Sequence, residues 1–414
     1  MNIMKKNRTT LYFLITFIVI GVAIQCVVLF FVIDPNALTW WDSEGYYSIA
    51  KELTAGAPYS TAEESNNLYF SPGYPFILSL MMRVVGTQVV RIRLFHLALF
   101  PIFLLTLYQL GTLLKGKSVG LISVLFAVVY PYYLYLPLAL YPESFLIYLF
   151  PGMLILMFLL REKIRYPLLI LLSGLIALTI MIRPVLVYLI PVAWFIIVRR
   201  NGLPIKRILA VGAILTLIPL VVVCSWMGRN KMVHGEFIFS KSGAYNILLN
   251  YNENADWRVK IAPFPDDIQE RLRTAKDNFE KQQIYKEEAL NFIKKHPVKS
   301  LTIAFMQCLD LWNPIPRTTI QNGFARSKYK MIAAIPYLFF LIAGIFGMAK
   351  ERKFLSFQFL VVLMVLNTVF NGIFAISVRY RLITDFAFII MAACAIETGL
   401  KKMPLRWLNN KGDE

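Results

Sequence analysis

Two carboxylates, Asp42 and Glu44, stand in the stretch WWDSEGYY (Trp40–Tyr47), among four aromatic residues and just after a long apolar run. A carboxylate at that place can cap a surface helix by accepting a free backbone N–H. It can equally act as a general base toward a hydroxyl held at a membrane surface. The two roles are compatible, and Gly45, three residues after Asp42, is not the Glu or Gln of a capping box. The other groups able to do chemistry are Glu143 directly after Pro142, Arg183 directly before Pro184, and Arg379 and Arg381 in RYRL (Arg379–Leu382). An acid after a proline suits a helix start and equally a second carboxylate of a site. The planar fork of arginine suits phosphate oxygens, and at the end of a span it also suits lipid headgroups. His234 and His296 have no metal-ligand spacing. His96, alone in an apolar run, reads as a hydrogen-bonded packing residue. Cys26, Cys224, Cys308 and Cys394 are scattered singly, which reads as buried free thiols packing as small hydrophobes.

The elements that must position these groups are membrane helices. The chain of 414 residues is 58% hydrophobic and only 16% charged, with a mean hydropathy of +0.60. A soluble domain is about 25% charged. Leu11–Ile33 is an uncharged run of 23 residues behind Lys5, Lys6 and Arg8, longer than a signal-peptide core and long enough to span. It is expected to be a retained first span. Further runs fall at 94–114, 119–136, 143–160, 167–182, 184–198, 208–226, 331–349, 355–377 and 382–399, ten with the first. With a cytoplasmic N-terminus, every second loop is basic: Lys115 and Lys117; Arg161, Lys163 and Arg165; Arg199, Arg200, Lys206 and Arg207; Lys350, Arg352 and Lys353. Lys401, Lys402 and Arg406 then fall in a cytoplasmic tail over 401–414. This is the bias that sets orientation in membranes, and it accounts for much of the net charge of +19. A nucleic-acid binder would gather its basic residues on one water-facing domain, so no nucleic-acid partner is expected.

The expected architecture is an all-α polytopic membrane protein forming a single unit over 1–400. It has about ten transmembrane helices, both termini cytoplasmic, and two long outer segments at 34–93 and 227–330. Tyr46, Ile49, Ala50 and Leu53 share a helical face, and Gly56 with Pro58 ends it. This predicts an amphipathic helix on the membrane surface, with Trp40 and Trp41 as interface anchors. Leu68–Gly86 reads as a re-entrant or surface helix. Ile268, Leu272, Ala275 and Phe279, then Tyr285, Ala289, Phe292 and Ile293, read as amphipathic helix packing over the membrane mouth. Pro297–Trp312 is apolar, but an eleventh crossing would turn the basic loop at Lys350–Lys353 outward, so it is placed on the outer surface or partly re-entrant.

DSEGYYSIAKELTAGAPY (Asp42–Tyr59) followed by SPGYP (Ser71–Pro75) resembles the first outer loop of the GT-C membrane glycosyltransferases. The nearest group is glycosyltransferase family 39, with the protein O-mannosyltransferases and lipid A aminoarabinose transferases. The likeness continues in order through YPES (Tyr141–Ser144), Arg183-Pro184, GRNKMVHGEF (Gly228–Phe237), GAYNILLN (Gly243–Asn250), YKEEALNFIKKHP (Tyr285–Pro297) and RYRL. The resemblance implies a site on the extracytoplasmic face of the plasma membrane, a polyprenyl-phosphate sugar as lipid-linked donor, and inversion at the sugar carbon. It places the catalytic base on Asp42. Where the motif commonly has Glu after the Asp, this chain has Ser43, and Asp385 stands where related sequences tend to carry proline.

The implied transfer needs a base near the acceptor hydroxyl and fixed positive charge where the phosphate gains charge. Asp42 fits the first need; Arg183, Arg379 and Arg381 fit the second, and Glu143 would orient acceptor or sugar. The acceptor is a glycolipid, a glycan or a protein. No cofactor is required by these residues, and a divalent cation remains open. A flippase or transporter of lipid-linked sugars would instead place ionisable groups near the bilayer midplane. A non-catalytic partner of another transferase would tolerate loss of the Asp42 carboxylate.

Overall fold

The structure, a computed structural model, describes residues 2–38, 41–59, 68–199, 203–256, 263–314, 327–374 and 377–402. Trp40, Arg200 and Arg406 lie outside them. Among the described residues the regular structure is entirely helical. The chain begins with α1 (Asn2–Val27), extended by a π-turn to Val32. The first long segment forms α2 (Trp41–Thr54) and α3 (Gly73–Val85). There follow α4 (Val89–Lys115), α5 (Lys117–Val129), α6 (Pro131–Tyr135), α7 (Pro142–Glu162), α8 (Tyr166–Ile182), α9 (Leu189–Val198) and α10 (Ile205–His234). The second long segment supplies α11 (Ser242–Asn250), α12 (Asp266–Thr274), α13 (Asn278–Lys295) and α14 (Pro297–Leu311). Last come α15 (Ser327–Glu351), α16 (Leu355–Phe374), α17 (Val378–Leu382) and α18 (Asp385–Lys402).

The described residues of the ten apolar runs are mostly helical, but not as ten uniform spans, and residues 375 and 376 of the run at 355–377 lie outside the described residues. Among the described residues six helices are long and apolar enough to cross a bilayer, in α1, α4, α7, α10, α15 and α16. A seventh is gained if α5 and the α6 region form one crossing bent by 67°. The run at 119–136 therefore breaks at Tyr130, because Pro131 starts a new helix and holds the residue before it out of helical geometry. α8 and the pair formed by Pro184–Val198 are shorter apolar helices. Helix α10 has 30 residues, about 45 Å of helix against a hydrocarbon core of about 30 Å. Its last turns therefore rise clear of the apolar layer, ending at Gly235 in the left-handed conformation that glycine adopts without strain.

The surface helix expected after Asp42 is present as α2, with Ile49, Ala50 and Leu53 buried and Glu44 exposed. α3, too short to cross, packs on α2 and α8. In the second long segment Leu248, Ile268, Ile284 and Ala289 form one small core, and Tyr251, Ala255, Phe292 and Ile303 another. Phe279, expected on that apolar face, is instead exposed. α14 runs beside the last turns of α16: Cys308 Sγ approaches the Thr368 carbonyl at 3.6 Å and Trp312 Nε1 donates to Thr368 Oγ1 at 3.0 Å. Of the four cysteines, all free, Cys394 is buried but Cys224 is exposed on α10, so the expectation of uniformly buried thiols fails there.

Close helix approach in the bundle depends on glycine. A Cβ at Gly347 on α15 would lie 2.0 Å from the Met391 carbonyl oxygen on α18, a separation only a residue without a side chain allows. Gly347→Ala is therefore expected to cost about 1–3 kcal/mol, read as a lowered melting temperature in detergent. Gly152→Ala, with nothing within 4 Å of the added carbon, should leave the melting temperature unchanged or raise it.

Candidate active site

Two tethers join the start of α2 and the strap before it to the bend that precedes α7, and a third braces that bend. The first is Arg93 on α4, which is buried and donates to three backbone carbonyls: Leu138 at 2.8 Å, Asp34 at 2.5 Å and Ala37 at 2.9 Å. It thus joins the strap that follows α1 to the bend that precedes α7. The second is Ser43, whose Oγ donates to the Ala139 carbonyl at 2.8 Å. In the third, Ser144 Oγ accepts from the Tyr141 N–H at 3.1 Å and donates to the Leu136 carbonyl at 2.6 Å. Within this bend Leu140 adopts φ 53°, a left-handed conformation costly for a leucine and a form of strain found where surroundings over-determine the backbone. The quoted motifs also contain two contact glycines. A Cβ at Gly45 would lie 2.4 Å from the Phe70 ring, and one at Gly73 would lie 2.6 Å from the backbone of Ile182, next to Arg183.

Asp42, Glu143, Arg183 and Arg379, from four separate parts of the chain, meet at the wall of one cavity of about 450 Å³. Arg379 donates from Nη2 to Asp42 Oδ2, and Arg183 from Nη1 to Glu143 Oε1. Arg379 Nε lies 4.0 Å from Glu143 Oε2. The Arg183 guanidinium covers the Tyr380 ring at 3.6 Å, and that of Arg379 covers Tyr141 at 4.2 Å. Two cations and two anions therefore balance at the edge of an apolar bundle, as buried charges must. Asp42 lies inside the first turn of α2 and not before it. Its carboxylate turns to Arg379, so the capping role expected for it is not the contact it makes. The rest of the cavity wall includes the neutral polar residues Ser240, Ser242, Asn246 and Asn371, with Phe239 and Phe370.

Arg381, expected beside Arg379, is not on the cavity. It is fully buried, bonded to Asp385 at 3.1 Å and to the Leu311 carbonyl at 2.9 Å, with its guanidinium 3.8 Å from the Tyr337 ring centre. Tyr130 also donates to Asp385, at 2.6 Å. Asp385 is thus the counter-charge of Arg381, which gives that departure from the family pattern a physical reason. His234 meets Arg229 at 3.3 Å and His296 meets Glu253 at 2.9 Å. Among the described residues no three His, Cys, Asp or Glu gather as a metal site. His96 is buried packing, but neither ring nitrogen has a hydrogen-bond partner among the described residues, contrary to the expectation.

Sequence reasoning missed Tyr380, which lies between the two arginines in RYRL and lines the cavity. Arg379 Nη2 approaches its hydroxyl at 3.4 Å. Burial pushes the Tyr380 phenol up, but Arg379 and then Arg183 outweigh it and bring it down to about 7. It also missed Arg93, which looked only like the edge of a loop, and the neutral polar residues of the cavity wall, which carry no distinctive spacing.

A family model for dolichyl-phosphate-mannose-protein mannosyltransferases matches residues 70–226, a stretch that contains Glu143 and Arg183 but neither Asp42 nor Arg379. The archaeal oligosaccharyltransferase AglB of Archaeoglobus fulgidus, in complex with an inhibitory peptide and dolichol-phosphate, superposes with a TM-score of 0.52 at 12% identity, covering 97% of this chain. This is the GT-C fold. The apo form of the same organism's oligosaccharyltransferase shares the GT-C arrangement with a TM-score of 0.51 at 11% identity, over 96% of this chain. The present chain spans about half the length of those proteins, 52% in each case. ArnT from Cupriavidus metallidurans, bound to undecaprenyl phosphate, gives a TM-score of 0.46 at 16% identity, covering 92% of this chain and 77% of its own. No curated protein sequence matches the chain.

Two outcomes follow for this site within the GT-C fold. Arg93→Met leaves three carbonyls without their charged donor, at about 1–3 kcal/mol each, and should lower the melting temperature more than any single contact in the bundle. A phenol that ionises near 10.0 when unfolded and near 7 when folded binds its proton less tightly in the folded state. Its stabilising effect is therefore complete only above pH 10 and is lost as the pH falls through about 7. A pH titration of tyrosinate absorbance should show one phenol ionising near pH 7, and Tyr380→Phe should remove that step.

Proposed function

We propose that the protein is an inverting glycosyltransferase that moves a sugar from a polyprenyl-phosphate carrier to an acceptor hydroxyl at the extracytoplasmic face of the plasma membrane. The observation that carries this reading is the convergence of Asp42, Glu143, Arg183 and Arg379 on one cavity. The GT-C fold and the match to mannosyltransferases over 70–226 support the reaction class. The orientation is supported by α4: Arg93 lies near its site end, and Lys115, in the basic-loop set, pairs with Glu351 at 2.6 Å some 33 Å further along.

In this mechanism the Asp42 carboxylate takes the proton of the acceptor hydroxyl as the acceptor oxygen bonds to the anomeric carbon from the side opposite the phosphate. The bond from that carbon to the carrier oxygen breaks, and its electron pair leaves on the phosphate. The product is a phosphate monoester with a second pKa of about 6, so no dedicated acid is required. Arg183 and Arg379 supply positive charge to the phosphate, and bidentate arginine contacts suit its oxygens. Ser240, Ser242, Asn246 and Asn371 line the same cavity and offer hydroxyl and amide partners to sugar hydroxyls. The transporter alternative finds its charged residues at helix ends and not at mid-span.

The test is transfer by purified protein in lipid nanodiscs supplied with a panel of polyprenyl-phosphate sugars and candidate acceptors. Asp42→Asn should fold normally and lose about 10²- to 10⁴-fold in rate, the usual contribution of a general base. Retention of wild-type transfer by folded Asp42→Asn would exclude Asp42 as the base.

A further inference from the structure

Arg379 is asked to do two things that compete. It is ion-paired with Asp42, and it stands where a carrier phosphate needs positive charge. While the guanidinium occupies Asp42 Oδ2, that oxygen is not available to an acceptor hydroxyl. A static pair would leave the base with Oδ1 alone and the phosphate partly unmet.

A second seat for Arg379 is already in place. Glu143 Oε2 and Arg379 Nε are both buried and have no hydrogen-bond partner among the described residues. They lie 4.0 Å apart, about 1 Å beyond a charge-assisted hydrogen bond. Buried polar atoms left unbonded are costly, so a small shift of Arg379 toward Glu143 satisfies two at once. Arg183 fixes Glu143 through its other oxygen, Oε1. The guanidinium of Arg379 lies over Tyr141 at 4.2 Å and Tyr380 at 5.3 Å, flat faces that keep attracting a cation as it slides. The side chain of Asp42 is 28% exposed and that of Glu143 is 0% exposed, so an acceptor can reach the first but not the second.

We propose that Arg379 passes from Asp42 to the carrier phosphate and Glu143 Oε2 when the lipid phosphate binds, and that this transfer frees Asp42 to act as the base. Glu143 is then a positioning residue, and the base is released only once the donor is in place. This rests on the proposed donor class and adds a sequence of events within the site.

The experiment measures binding of undecaprenyl phosphate to full-length protein in detergent, with melting temperatures confirming that each variant is folded. Asp42 competes with phosphate for Arg379, so Asp42→Asn should bind the lipid about 10-fold more tightly while losing transfer. In an Arg379→Gln background, where binding is weak, Asp42→Asn should change nothing. Glu143→Gln should bind more weakly than wild type, and combining it with Asp42→Asn should restore affinity. A purely structural role for Glu143 predicts that the loss persists in the double variant. Unchanged or weaker binding by Asp42→Asn overturns the hand-over alone, even if Glu143→Gln does not fold. Absence of saturable binding to wild type overturns the donor assignment and the hand-over with it.

Discussion

Charges placed at the end of an apolar helix bundle remain there only if each meets an opposite charge or a backbone dipole, because desolvation of an unpaired ion costs more than the packing around it returns. That constraint organises this end of the molecule. Asp42 with Arg379 and Glu143 with Arg183 form two ion pairs that share a cavity, while Arg93 spreads its charge over three carbonyls and Arg381 settles on Asp385. The helices around them are conventional apolar elements. Three of these four arginines meet a carboxylate and Arg93 meets backbone carbonyls, and of the four Arg183 and Arg379 line the cavity.

Pairing of this kind has a chemical consequence. A site whose charges cancel can admit an anionic lipid headgroup only by rearranging its own pairs. In the proposed reaction a polyprenyl-phosphate donor would bring its negative charge to the same guanidinium groups that hold the two carboxylates. Binding and activation would thereby be linked, and a base kept occupied until the phosphate arrives would reduce attack by groups that enter the cavity first. The tyrosine faces beneath Arg183 and Arg379 would provide the surface for the proposed exchange.

Much of this was legible in the sequence because it depended on composition and on short ordered motifs. The helices, the basic loops and the positions of Asp42, Glu143, Arg183 and Arg379 could be read from apolar runs and from DSEG, YPES, RP and RYRL. Arg379 and Arg381 could not be told apart that way. They share one end of a span, but two residues of helix turn the second side chain about 200° from the first, into the bundle and onto Asp385. Tyr380 sits on the residue between, where a pattern search for charge sees nothing. Arg93 stood at the limit of a loop, and its three carbonyl partners lie far off in the chain, at Leu138, Asp34 and Ala37. The bend at Tyr130 had a signal in Pro131 that was outweighed by the unbroken hydropathy of 119–136.

The central claim is that Asp42 and the two arginines face opposite sides of one reacting sugar carbon. A structure of the full-length protein with a non-hydrolysable phosphonate analogue of a polyprenyl-phosphate sugar tests it most directly. The account predicts phosphonate oxygens within hydrogen-bonding distance of Arg183 and Arg379, with the Asp42 carboxylate on the opposite face of the anomeric carbon and clear of Arg379. An analogue bound with its phosphonate away from both arginines, or with Asp42 on the same face as the leaving group, would contradict it.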